Sequence, residues 1–226
     1  MMICLVTDRR RLSSSDSFPV LKSCLLDQIR CATEAGIDLV QIREGDLPAS
    51  DLRGLVRDAL SISRGSTTRV VVNERLDIAL ACEAHGVHLR ADSMPAERVR
   101  ELAPSGFLVG RSVHGVEEAG RAGPVDYLIA GTVFETGSKP LKMGRALLGI
   151  DGLAAIVRAA HAPVMAIGGM TDERVTRIAA TGAAGVAAIG LFIGPADPQP
   201  SGCRAVPLIA LVQRIRERFD TPERAL

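Results

Sequence analysis

Two stretches of the sequence place anion-holding groups where an apolar run ends. In "AIGGMTDERV" the run stops at Gly168 and Gly169, and a helical pattern opens at Thr171, whose hydroxyl can cap it. Main-chain amides at a helix start attract anions, and glycine lets a phosphate approach the backbone closely. Paired glycines also make tight turns, so a structural account stands beside the phosphate one. In "AGTVFETGSKP", residues 130 to 140, Thr136, Ser138 and Lys139 crowd two hydroxyls and an ammonium onto one turn. Each charge-assisted hydrogen bond from such groups contributes roughly 1.5 to 3 kcal/mol. An ordinary solvated loop has the same composition, and the stretch is no Walker A loop, because the upstream glycine is missing at the required spacing.

Proton transfer near neutral pH needs a different group, and histidine is the natural choice. Of the four histidines, His114 is the best placed, just past a strand and beside Ser112. A rim histidine held in a structural hydrogen bond is the alternative. His161 falls on the wrong side of the fold, His85 closes a helix and His88 points into packing. Glu135 is the other candidate, provided that burial raises its pKa. The clusters "TDRRR" and "RIRERF" read as solvated faces, and Arg111 as structural or solvated.

These groups meet only if the fold brings strand ends together. Eight short β-rich apolar runs recur: "ICLVT", "LVQIR", "RVVVN", "GVHL", "FLVG", "DYLIAG", "VMAIGG" and "GVAAIG". Between them lie segments of helical spacing such as "SDLRGLVRDALSI" and "DERVTRIAATGA", with Gly36, Gly86 and Gly182 expected as left-handed helix stops. Near-continuous apolar strands alternating with helices predict a parallel sheet covered on its outer side. Eight of them in 226 residues favour a single closed (β/α)8 barrel spanning residues 1–226 over an open doubly wound sheet. No G-x-G-x-x-G follows the first strand. The Pro- and Gly-rich stretch 194–207 links strand eight to the last helix, and the tail 220–226 frays. Barrel active sites sit at the carboxyl ends of the strands. That mouth holds Gln41, Arg43, Asn73, Glu74, His88, Arg90, Arg111, Ser112 and His114, then the 130–140 stretch, then Gly168, Gly169, Ile189 and Gly190.

With 47% hydrophobic and 23% charged residues the composition is that of a globular domain. A formal charge of +1 and 3% aromatics give no reason to expect nucleic acid or a membrane surface as partner. The five cysteines are scattered and fit reduced thiols in the cytoplasm. The start lacks a signal-peptide pattern, and no run reaches membrane-spanning length.

"LVQIRE", "VVNERLDIALACEAHGVHL", "VGRSVHGVEEA", "DYLIAGTVFETGSKP" and "PVMAIGGMTDERVTRIAATGAAGVAAI" share the order and spacing of one family. The sequence resembles the thiamin phosphate synthase and TenI family over nearly its whole length. Synthase members are magnesium-dependent (β/α)8 barrels that join a hydroxymethylpyrimidine pyrophosphate to a thiazole phosphate. TenI members aromatise the thiazole phosphate tautomer before that coupling. By resemblance, Gln41, Arg43 and Asn73 are pyrimidine-pyrophosphate contacts, and Ser112, Thr136, Ser138 and Lys139 belong to the pyrophosphate site. Gly168, Gly169, Ile189 and Gly190 are thiazole-phosphate contacts, although synthases usually carry serine at the last position.

Departures concentrate at the metal end. The synthase lysine two residues after Arg43 is Gly45, one metal-binding aspartate is Glu74, and the second is Ser93. Arg90 and Ala91 replace the "GQ" that precedes it. Magnesium on pyrophosphate takes hard oxygen ligands, usually one or two carboxylates, so these changes weaken its site. The expectation is therefore TenI-like aromatisation without a metal, carried by His114 or Glu135, although the family's strand-six histidine is Thr132 here. A synthase using Glu74 with Mg2+ is the alternative, and a catalytically inert phosphate-binding regulatory paralogue is a third. The implied partners are a small phosphorylated thiazole and, for the synthase, a pyrimidine pyrophosphate, with a homo-oligomer compatible.

Overall fold

Strands whose both faces are apolar bury only between a filled interior and a shell of helices, and the chain takes that arrangement. The computed structural model describes residues 1–136, 146–194 and 204–220. Eight parallel strands close into a barrel in sequence order. They are β1 (Met2–Val6), β2 (Leu39–Ile42), β3 (Arg69–Asn73), β4 (Gly86–Leu89), β5 (Leu108–Val113), β6 (Tyr127–Gly131), β7 (Val164–Ile167) and β8 (Gly185–Ala188). The helices are α1 (Phe18–Glu34), α2 (Ala49–Ser63), α3 (Leu76–Ala81), α4 (Ala96–Leu102), α5 (Val116–Gly120), α6 (Gly149–Ala159), α7 (Val175–Ala179) and α8 (Ile209–Asp220). Pairing of β1 with β8, Cys4 opposite Ala187, completes the ring. Among the described residues no helix is long and apolar enough to cross a membrane.

Alternation along the strands divides the apolar residues into two cores. Cys4, Val6, Leu39, Val71, Tyr127, Ile129, Met165 and Ala187 fill the barrel. Their neighbours Ile3, Leu5, Val40, Val70, Val72, Leu128, Ala166 and Val186 pack outward beneath the helices. Tyr127 needs Gly110 opposite it, because a Cβ there would lie 2.1 Å from its ring. Gln41, Asn73, His88 and Ser112 continue the inward rows toward the mouth.

Helix ends depart from the expectation in places. Gly36 and Gly182 are left-handed stops (φ 71° and 80°), but Gly86 opens β4, and the left-handed residue after α3 is Glu83. Gly86 is needed for closeness instead, since a Cβ would meet the Leu108 carbonyl at 2.2 Å. The segment after Thr171 is a 3-10 turn (Asp172–Arg174) running into the five-residue α7, and the Thr171 side chain makes no capping bond. The arginines of "RIRERF" are not merely solvated. Arg214 and Arg218 pair with Asp172, and Arg216 reaches Asp38 at 3.0 Å, so α8 is fastened to α7 and to the base of β2. The expected link 194–207 is described only at Gly194 and from Arg204 onward; its remainder and the tail after Asp220 lie outside the described residues.

Candidate functional site

On the β2–β5 side, polar side chains rise from the barrel floor and hold one another. Gln41 is 3% exposed and donates from Nε2 to Asn73 Oδ1 at 2.8 Å. Its own Oε1 is buried with no partner, and a buried acceptor left unmade costs about 1–3 kcal/mol. Arg43 lies just past β2, its main-chain N–H accepted by the buried Thr7 hydroxyl at 2.8 Å and its side chain exposed. Below them His88 lies between Ser112 Oγ (2.9 Å from Nε2) and Tyr127 OH (3.3 Å from Nδ1). Burial, then the positive charges of Arg111 and Arg43, pushes the His88 pKa down to about 3. His88 is thus a neutral interior hydrogen-bonder, as expected, and it occupies the Ser112 hydroxyl. Arg111 faces outward, half of it held by the carbonyls of Ala91 and Met94.

The candidate metal ligand is engaged by a cation. Glu74 has a left-handed backbone (φ 64°), and its Oε1 accepts the Arg90 N–H at 2.6 Å. The Arg90 Nε lies 3.5 Å from Oε2. Among the described residues no three His, Cys, Asp or Glu side chains gather. One carboxylate plus substrate oxygens is the lower limit of what magnesium accepts. The donor set therefore fits an ion that arrives with a pyrophosphate, held by Glu74 alone, and not a resident one.

The β6–β8 side is shaped by glycine. Gly168 (φ 106°) and Gly169 (φ 61°) abut the turn after β6, where a Cβ would lie 2.4 Å from Thr132 Cγ2 and 2.5 Å from the Glu135 carbonyl oxygen. The tight-turn account of this pair is thus met by geometry. At the same time, no backbone carbonyl among the described residues accepts from the N–H groups of Gly168, Gly169, Ile189 or Gly190. Such donors need a partner from water or ligand. Arg174 braces the turn, donating to the Gly169 carbonyl while lying 4.7 Å from the Phe134 ring centre.

The proton-carrier candidates separate here. His114 donates from Nδ1 to the Gly131 carbonyl, which ties its ring across β5 to the end of β6, and its N–H is held by Glu118 at 2.7 Å. Glu135 is exposed, so the burial its role depended on is missing. Thr136 is half-buried beside it; Ser138 and Lys139 lie outside the described residues. His161 is exposed before β7, at the far end of the barrel.

The run "TDRRR" is no solvated face, which sequence reasoning missed. Arg9 is 6% exposed and donates to Glu44 Oε2 and Asp46 Oδ1, both at 2.7 Å. Through it the carboxylate of Asp46 is held down to about 2. Arg10 joins Asp46 at 2.6 Å. Arg11 turns the other way, toward Gly190 at the end of β8. The available signal was position: three arginines directly after a barrel strand stand at its mouth.

Known proteins share this chain's fold and sequence pattern. Residues 3–192 match the family model described as thiamine monophosphate synthase. A relative from Geobacter sulfurreducens is 40% identical over 212 residues, spanning 92% of each chain. The thiamine-phosphate synthase of Roseiflexus sp. (strain RS-1) is 34% identical, covering 95% of this chain and 89% of its own. The thiamine phosphate pyrophosphorylase from Pyrococcus furiosus superposes with a TM-score of 0.75 at 28% identity, over 97% of this chain and 95% of that one. The expected fold, and its resemblance to a family of enzymes, are thereby established: this chain belongs to the thiamine monophosphate synthase family.

Proposed function

We propose that the chain is a thiamin phosphate synthase, in place of the tautomerase that its altered metal end suggested. The names of its relatives favour the synthase, and one observation in the mouth carries it. Gln41 Oε1 is a buried acceptor without a partner, on the side of the barrel opposite the glycine turns. A thiazole phosphate held at β7 and β8 has no use for it. An aminopyrimidine N–H does, because it satisfies an acceptor that is otherwise left desolvated.

In this reading the pyrimidine lies against Gln41 and Asn73, and its pyrophosphate faces Arg43. The thiazole phosphate takes the free N–H groups at Gly168, Gly169, Ile189 and Gly190. Its ring nitrogen bonds to the pyrimidine methylene carbon while pyrophosphate leaves with the electron pair of the broken C–O bond. Negative charge grows on the departing oxygens, so a fixed cation such as Arg43 stabilises the transition state more than the ground state. Magnesium, when bound with the pyrophosphate, would add positive charge there, held by Glu74. His88 and Ser112 shape the floor, and a neutral His88 moves no proton near pH 7.

Calorimetric titration with the pyrimidine pyrophosphate tests the assignment. Saturable binding to the wild type that weakens in Gln41→Leu is expected; no binding with magnesium present overturns it.

A further inference from the structure

We propose that Arg11 is the side chain that holds the substrate's phosphomonoester at the end of β8. The proposal rests on the phosphate subsite described above and names a residue of it that lies far away in sequence.

The observation is one of shared space. A Cβ built on Gly190 would lie 3.0 Å from one terminal nitrogen of Arg11 and 3.6 Å from the other. The end of the guanidinium therefore sits against the main chain at Gly190, where any side chain would press on it. Serine, the usual residue there in synthases, would compete with it for that room. Glycine leaves the room to Arg11, which reaches it from the turn after β1.

Arg11 is also placed rather than loose. Arg204 donates to the Arg11 carbonyl at 3.2 Å and to the Gly194 carbonyl at 2.6 and 3.0 Å, and its own N–H reaches the Leu12 carbonyl at 2.8 Å. The turn bearing Arg11 is thereby tied to the chain just beyond β8. Its two neighbours are neutralised by Glu44 and Asp46, whereas no carboxylate among the described residues pairs with Arg11. A half-buried guanidinium with open donors beside free main-chain N–H groups matches a dianionic phosphate, to which arginine binds in a two-pronged fashion.

The test is steady-state coupling with Arg11→Gln, Arg11→Lys and, as a control for lost surface charge, Arg10→Gln. Arg11→Gln should raise KM for the thiazole phosphate by about 10- to 100-fold, as expected for lost charge-assisted bonds. KM for the pyrimidine pyrophosphate and kcat at saturation should stay near wild type, Arg11→Lys should recover part of the loss, and Arg10→Gln should change neither. The dephosphorylated thiazole alcohol should be used equally poorly by wild type and Arg11→Gln. An unchanged KM for the thiazole phosphate in Arg11→Gln, with the wild type active, overturns the role of Arg11. A loss equal for both substrates overturns it as well, since that marks a merely structural residue. A wild type without coupling activity refutes the proposed function itself. Inorganic phosphate protecting the wild type, but not Arg11→Gln, against thermal unfolding would support Arg11 independently of turnover.

Discussion

Between β2 and β5 the barrel mouth is filled by side chains that hold one another, whereas between β6 and β8 it is shaped by side chains that are missing. The first half presents an amide pair, a neutral imidazole bridged to two hydroxyls, and exposed arginines. Among the described residues the second half presents glycines, main-chain N–H groups, the Arg174 guanidinium on the Gly169 carbonyl and the Arg11 guanidinium from the turn after β1. Side chains that lock together can read the edge of a heterocycle, because each acceptor has a fixed direction. Bare backbone suits a phosphate, which needs several donors at short range and little shape. The contrast is what supports the proposed placement of the pyrimidine on one side and the phosphomonoester on the other.

The largest expected effect concerns the floor of the side-chain half. In the fold His88 stays neutral, with a pKa near 3, whereas an unfolded histidine takes up its proton near 6.5. Between those values the unfolded chain binds the extra proton, so stability falls as pH drops from 6.5 toward 3, by up to about 1.4 kcal/mol per unit. Urea unfolding near pH 7 and near pH 5 should show this slope in the wild type and a flatter one in His88→Gln. Equal slopes would show that the imidazole is not held neutral. Next comes Arg43→Gln, expected to lower kcat by roughly 100- to 1000-fold, as for loss of one transition-state donor. A fall below about three-fold would move the leaving-group site elsewhere. Gln41→Leu should raise KM for the pyrimidine pyrophosphate by about 10-fold and leave the thiazole phosphate alone. Equal effects on both would erase the division of the mouth. Arg90→Ala is the mildest: removing the exposed guanidinium from Glu74 Oε2, while the main-chain N–H bond to Oε1 stays, should lower the magnesium needed for half-maximal rate by up to about five-fold. A higher requirement would mean that Arg90 helps to hold the metal complex.

The same contrast explains what could be seen in the sequence. Strands were legible because a barrel strand is apolar on both faces, and all eight runs became β1 to β8. Gln41 and Asn73 were legible as polar residues at the carboxyl ends of β2 and β3, with Arg43 just after β2, and their proposed contacts came from the resemblance. The glycine half was half legible: the turn was expected, but not that Thr132 and Glu135 would press against it. Those contacts join β6 to β7 and have no signature within either segment. Arg9 was misread, since a run of arginines is usually solvated and its partners Glu44 and Asp46 lie 35 and 37 residues away, beyond β2. The long helices kept their periodicity, but α7 shrank to five residues behind a 3-10 turn, where α8 arginines bind Asp172. His114 and Glu135 were chosen for their acid–base chemistry, which the coupling reaction proposed above does not require.

In the proposed reading this mouth joins two substrates. Incubating the purified chain with hydroxymethylpyrimidine pyrophosphate, thiazole phosphate and magnesium, and separating the products, tests it directly. Thiamin phosphate and pyrophosphate formed in equal amounts, and abolished when either substrate is withheld, is the predicted result. No thiamin phosphate, together with an ultraviolet change when the thiazole tautomer is supplied alone, would contradict the account and return the chain to the tautomerase reading.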